Sequence, residues 1–359
     1  MKCMDRNLFS IFSISLFLLF GSDYANAATR TWTGAGANEL ASNTANWSGN
    51  TVPVAGDDIV LNSGSHKDMT WNLNIPINSW TQDGYEGTVT ITTEYTGSFT
   101  NLHVTGNCII NSGTWTHRGP QILETNRLSV TVGGNLTIGV DGVISAAGKG
   151  YRQGYGPGKG TGASGGTYAG AGVNGGPGYG CAVVPINIGS GANMGPGGGA
   201  IQIIVAGNSI INGSLNANGG TGASSGSGGS VLLKTKTLSG SGEIKSEGGV
   251  PNQAYMGGGG RVSVVLTAVN ENFLSFTGEI SAYGGLHESK RSKAGTVYLE
   301  EGNDEFGRGE LIIDNLQSTV GYSGNKTSLN GLNDVVYQFK PISLKNNSVL
   351  EVNAGGTLN

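Results

Sequence analysis

The chain has 359 residues, of which 65 are glycine, more than twice the roughly 7% share of ordinary globular proteins, and this excludes an ordinary helical enzyme. Charged residues are 12%, about half the typical ~25%, and the formal net charge of -4 supplies no electrostatic footprint for nucleic acid or anionic lipid. The 37% apolar fraction is largely Val, Ile and Leu set between Thr, Ser and Asn, which suits narrow strands, so an all-β fold is expected.

The first 27 residues read as a signal peptide. Lys2 and Arg6 form a basic start, Leu8 to Phe20 is mainly apolar, and Ala25-Asn26-Ala27 has the small-x-small form of a cleavage site. That run falls short of the roughly 20 residues a membrane helix needs. The expectation is an exported chain, secreted or on the cell surface, with no membrane span. Cys3 leaves with the peptide.

Residues 28–115 form an N-terminal β cap region holding all five tryptophans, Trp32, Trp47, Trp71, Trp80 and Trp115. These read either as a hydrophobic cap over the open end of a stacked β structure or as a platform for sugar rings. The segments Thr31-Trp32-Thr33-Gly34, Asn46-Trp47, Val52-Pro53 and Gly56-Asp57-Asp58-Ile59 resemble the opening of bacterial secreted and cell-surface parallel β-helix proteins. Gly295-Thr296-Val297-Tyr298-Leu299 followed by Gly309-Glu310-Leu311-Ile312-Ile313-Asp314-Asn315 is similar to a recurring unit of the same group. The resemblance implies an adhesin-like or autotransporter-passenger-like role. Its motifs are architectural, so no catalytic residue is carried over.

From residue 116 to 359 the sequence repeats. The unit Gly-x-apolar-x-small-x-Gly begins at Gly142, Gly213, Gly242 and Gly278, placing Ile144, Leu215, Ile244 and Ile280 in one column and Ala146, Ala217, Ser246 and Ala282 in the next. A second unit, Gly-x-apolar-x-apolar, begins at Gly199, Gly229, Gly260 and Gly295. Its columns are Ile201, Val231, Val262 and Val297, then Ile203, Leu233, Val264 and Leu299. Period two means strands with one buried face, while Glu243, Lys245 and Glu247 face water. Such short units bury a face only by stacking, which predicts a right-handed parallel β-helix, a β-solenoid.

The distance from first to second unit is 57 residues in one repeat and 16, 18 and 17 in the others, so one repeat carries an insertion. This segment, 148–198, is glycine-rich and poor in branched aliphatics, and reads as a long, partly disordered and removable surface loop. Its tyrosines Tyr151, Tyr155, Tyr168 and Tyr179 are the candidate contacts to extracellular glycans or cell-surface proteins, against the plainer reading of a spacer. Cys108 and Cys181 are either one disulfide tying this segment to the strand-like stretch Val104 to Ile110 or two small buried hydrophobes.

No catalytic constellation is legible. Residues 142–242 contain no Asp or Glu, whereas Lys149, Arg152, Lys159, Lys234 and Lys236 give +5, so a carboxylate pair cannot come from there. The G-x-S-x-G matches at Gly162 and Gly222 lie in glycine-rich sequence without the required strand and helix. His66, His103, His117 and His287 lack metal-ligand spacing and read as surface or turn residues. The acidic run 300–314 lacks the order of a dedicated calcium loop and reads as solvated. No cofactor or metal is expected.

The reading is therefore a structural or adhesive cell-surface protein without catalysis, the alternative being a polysaccharide lyase or glycosidase on the same scaffold. The segment 342–359 reads as a coil beginning again, so either continuation into further coils of a longer surface protein or self-association through a C-terminal edge is expected.

Overall fold

The computed structural model describes residues 27–92, 101–316, 326–329, 335–353 and 356–358; residues 1–26 of the expected signal peptide lie outside them. The protein is all-β, built on long parallel sheets. One sheet stacks, in order, Thr29–Thr31, Asp58–Leu61, Ser79–Gln82, Cys108–His117, Leu136–Ser145, Ser214–Asn216, Glu243–Lys245 and Glu279–Ser281. The second stacks Pro76–Ile77, Leu102–Val104, Leu128–Val132, Ala200–Val205, Ser230–Thr235, Arg261–Leu266, Thr296–Glu300, Glu310–Asp314 and Ile342–Lys345. The chain thus alternates between the sheets as it advances.

The register follows the sequence columns. Trp115, Ile144, Leu215, Ile244 and Ile280 pair in succession across the first sheet. Leu128, Ile201, Val231, Val262 and Val297 do so across the second, with Val130, Ile203, Leu233, Val264 and Leu299 two residues on. Nearly all of these side chains are buried in one continuous apolar cluster running from Trp32 to Val297, each fully buried aliphatic contributing about 1.5–3 kcal/mol. Outside the core, asparagines stack at the corners: Asn107 Oδ1 accepts from Asn135 N at 2.8 Å, and Asn135 Oδ1 from Asn208 N at 2.9 Å.

The tryptophans belong to this core. Trp32 meets Trp47 edge-on at 5.2 Å between ring centroids, and Trp80 lies edge-on to both Trp71 at 5.4 Å and Trp115 at 5.0 Å. With at most 2% exposure, none presents a ring face to a sugar, which removes the platform reading. Strand Cys108–His117 runs through the boundary expected at 115/116.

The insertion differs most from expectation: it is a packed third layer, not a solvated loop. Its backbone bonds to itself and to the coils, as in Gly150 N to Gly197 O, Gly166 N to Ser225 O and Gly170 N to Gly259 O. Glycine makes the approach possible. A Cβ on Gly258 would sit 1.7 Å from the Gly170 carbonyl oxygen, and one on Gly197 would sit 1.9 Å from that of Gly189. The layer covers the outer face of the second sheet, so strand Arg261–Leu266 is buried at every position. Val262, Val264 and Leu266 face the main core, while Val265 joins Ala182, Val183, Tyr298, Leu311, Ile313 and Tyr337 in a second one.

The parallel winding also changes after Leu299. Thr296–Glu300 and Glu310–Asp314 form an antiparallel pair, so the resemblance-bearing GTVYL and GELIID segments make a hairpin and not two successive coils. Beyond it Ile342–Lys345 resumes parallel pairing, and Gly356–Leu358 pairs with Val335–Tyr337. No helix among the described residues is long and apolar enough to cross a membrane.

Candidate functional site at the glycine-rich layer

The inner surface of the layer is a polar seam. Arg261, on the outer face of its strand and fully buried, donates from Nε and Nη2 to the Tyr179 carbonyl, from Nη2 to the Ser328 carbonyl and from Nη1 to Thr296 Oγ1. Its guanidinium lies 5.2 Å from the centre of the Tyr168 ring, which is 4.6 Å from that of Tyr179. Tyr168 shares a 2.9 Å hydrogen bond with Ser230, and the Tyr179 hydroxyl donates to Ile188 O at 2.6 Å. Ser263 Oγ donates to Val183 O at 2.8 Å. These bonds tie the layer to the sheet.

Burial pushes both tyrosine hydroxyls up, that of Tyr179 well above its ordinary value, and pulls the Arg261 guanidinium down. At the margin of the seam, the Glu124 carboxylate accepts from Arg127 at 3.1 Å, from Asn187 Nδ2 and from Ile188 N. Burial still outweighs these partners and raises its carboxyl above the usual range. Beside it the Tyr151 phenol is pushed up to about 12, by burial first and by Glu124 second.

The four tyrosines singled out from sequence therefore divide. Tyr168 is fully buried, Tyr151 and Tyr179 are half-buried and engaged, and Tyr155 alone is exposed. Three of the four are used to fasten the layer. Sequence reasoning missed Arg261, Glu124 and Asn187; an arginine opening an otherwise apolar-patterned strand was the available signal.

Cys108 is a free thiol, fully buried between Trp80 and Leu136 in its column, so the bridge to Cys181 does not form. Desolvation pushes its thiol up and leaves it an inert hydrophobe. His117, expected at the surface, is fully buried: Nδ1 bonds the Arg118 carbonyl at 2.7 Å and Nε2 accepts from Ala200 N at 3.3 Å. Burial pulls its imidazole down to about 4.

In the acidic run, Glu300 is buried, accepts from Tyr298 and from Gly307 N, and has its carboxyl raised by burial. Asp304 pairs with Lys340 and Glu305 with Arg308, while Glu310 and Asp314 accept from Ser343 and Asn346. The carboxylates stacked one coil apart, Glu243 and Glu279, are bridged by Lys245 at 3.0 and 3.2 Å. Among the described residues no group of three or more His, Cys, Asp or Glu side chains is placed to hold a metal ion.

The outer margin of the layer is of opposite character, exposing Arg118, Arg152, Lys159 and Tyr155 beside Ile122, Leu123 and Met194. No family model, curated protein or solved structure matches the chain.

Proposed function

We propose that the chain is a right-handed parallel β-helix acting as an exported structural and adhesive cell-surface protein, which meets extracellular glycans or partner surfaces through the outer margin of its glycine-rich layer. One observation carries the reading. The residues with chemical potential at the inner face of the layer, Tyr168 and Tyr179 within it and Arg261 and Glu124 facing it, are engaged in holding it against the sheet, so the layer extends the scaffold and leaves its outer margin as the presented surface. The stacked columns and the resemblance of the N-terminal motifs to cell-surface β-helix proteins support the same reading.

The test uses chain 28–359 on a glycan array and in cell-adhesion assays, with the same glycans assayed for chain cleavage. Retention without cleavage is expected. Release of shortened or unsaturated products would replace this reading with a lyase or glycosidase on the same scaffold.

A further inference from the structure

The fold gathers cations that the sequence spreads over four decades of numbering. Gly119 lies against the backbone of Lys149, where an added Cβ would be 2.3 Å from the Lys149 carbonyl oxygen, and Gln121 Nε2 donates to that same oxygen at 3.2 Å. Arg152 N then bonds Gln121 O, and the turn from Tyr155 to Gly160 is closed on Gly191 from both sides. Arg118, Lys149, Arg152 and Lys159 thereby follow one margin. No ion pair among the described residues involves any of the four. The carboxylate of this neighbourhood, Glu124, is committed to Arg127, Asn187 and Ile188.

One of the cations is held in place. The Arg152 guanidinium lies 4.5 Å from the centre of the Tyr155 ring, and its Nη2 donates to the Tyr155 hydroxyl at 3.0 Å. Stacking fixes a planar fork of donors on an exposed surface, which lowers the ordering cost of meeting a planar carboxylate with two parallel hydrogen bonds.

We propose that this margin binds an acidic polysaccharide through its carboxylates, Arg152 supplying the oriented fork and Arg118, Lys149 and Lys159 the surrounding positive field. The proposal rests on the adhesive reading and names its ligand class. Charge density favours a polyuronate over nucleic acid. Duplex DNA carries one charge per roughly 1.7 Å, which four spaced cations on a protein of net charge -4 do not match, whereas a polyuronate carries one planar carboxylate per sugar ring.

Chain 28–359 is tested for binding to polygalacturonate, with dextran as the neutral glycan and a DNA duplex as the competing polyanion. Binding to polygalacturonate that weakens with added salt is expected. The triple variant Arg118→Gln, Arg152→Gln, Lys159→Gln should bind at least tenfold more weakly with an unchanged unfolding temperature, while Lys236→Gln, Lys290→Gln, Lys345→Gln, an equal change of charge elsewhere, should bind as wild type does. Arg152→Lys, which keeps the charge and loses the fork, should fall several-fold. Equal weakening by both triple variants, or tighter binding to DNA through the same residues, overturns the proposal. Binding to dextran but not polygalacturonate overturns the acidic ligand and leaves the adhesive reading standing; binding to neither glycan, with no adhesion to cells, removes both.

Discussion

The guanidinium of Arg261 holds the carbonyl oxygen of Tyr179 from two nitrogens, at 3.1 and 2.7 Å, across 82 residues of chain. The contact joins a strand of the second sheet to the middle of the glycine-rich layer, with the Arg261 side chain fully buried. Removing the arginine leaves the Tyr179 and Ser328 carbonyls without these donors. Arg261→Ala is expected to cost on the order of 3 kcal/mol, and Arg261→Lys to recover only part of it because an ammonium cannot span the same set of acceptors. Chemical denaturation measures both. A loss under 0.5 kcal/mol for the alanine variant would mean that the layer is not fastened here.

Glycine at two kinds of position should respond differently. Gly258→Ala places a methyl 1.7 Å from the Gly170 carbonyl oxygen, so one backbone segment must move away from another, at a cost of about 3 kcal/mol. Gly154→Ala meets nothing within 4 Å and suffers only from its φ of +75°, which costs about 1 kcal/mol. Unfolding temperatures of the two variants should therefore separate clearly; coincidence would show that the close approach is not tight.

Deleting residues 150–195 is expected to lower the unfolding temperature sharply and to expose apolar surface to a hydrophobic dye. The deletion uncovers the outer face of strand Arg261–Leu266, where Ser263 and Val265 are now buried. Were this segment a removable loop, the shortened chain would melt as the parent does.

Acid should weaken the fold through His117. Its folded-state pKa, pulled down to about 4 by burial, lies below the 6.5 of a free imidazole, so the unfolded chain takes up the proton first. The corresponding stability is fully present above pH 6.5 and is lost as pH falls toward 4, a difference of about 3 kcal/mol. The carboxyls of Glu124 and Glu300, raised by burial, act with the opposite sign: the folded chain holds their protons longer, so their burial costs least at low pH. The measurement is therefore the difference between wild type and His117→Gln, which should shrink as pH drops from 7 to 4. A constant difference across that range would dismiss His117 as the sensor.

In the core, Ile244→Ala is expected to cost about 2–5 kcal/mol, since the side chain is fully buried between Leu215 and Ile280 in its column. Glu243→Gln, one residue away on the water side, should change stability by under 1 kcal/mol. Denaturation midpoints of the pair check the assignment of faces.

The columns were legible because a strand with one wet face writes its burial as alternation, and four copies of each unit left no freedom in register. Ile144 with Leu215, and Val231 with Val262, are neighbours in sequence pattern and in space for the same reason. The layer was illegible because much of its cohesion passes through backbone bonds between glycines and through side-chain partners supplied by distant strands. Gly166 and Gly170 bury no apolar group, and their contribution is the backbone bonds that a missing Cβ allows, which composition records only as flexibility. Tyr168 misled for a related reason. A tyrosine among glycines reads as exposed until a distant strand supplies Ser230 and Arg261 to receive it.

The same wiring sets an order of assembly. His117 waits for Ala200, Tyr168 for Ser230, Val183 for Ser263 and Tyr179 for Arg261, partners separated by 83, 62, 80 and 82 residues. A chain emerging from its N-terminus presents the tryptophan-rich coils early, then a long glycine tract whose docking surface has not yet been made. The bonds of that tract to strand Arg261–Leu266 form only once the strand is in place, so the final docking of the layer comes late, and sequence-distant contacts of this kind make slow folding. Pausing emergence before residue 261 should therefore leave a folded amino-terminal stack trailing a protease-sensitive segment, the cleavage sites disappearing once that strand has joined.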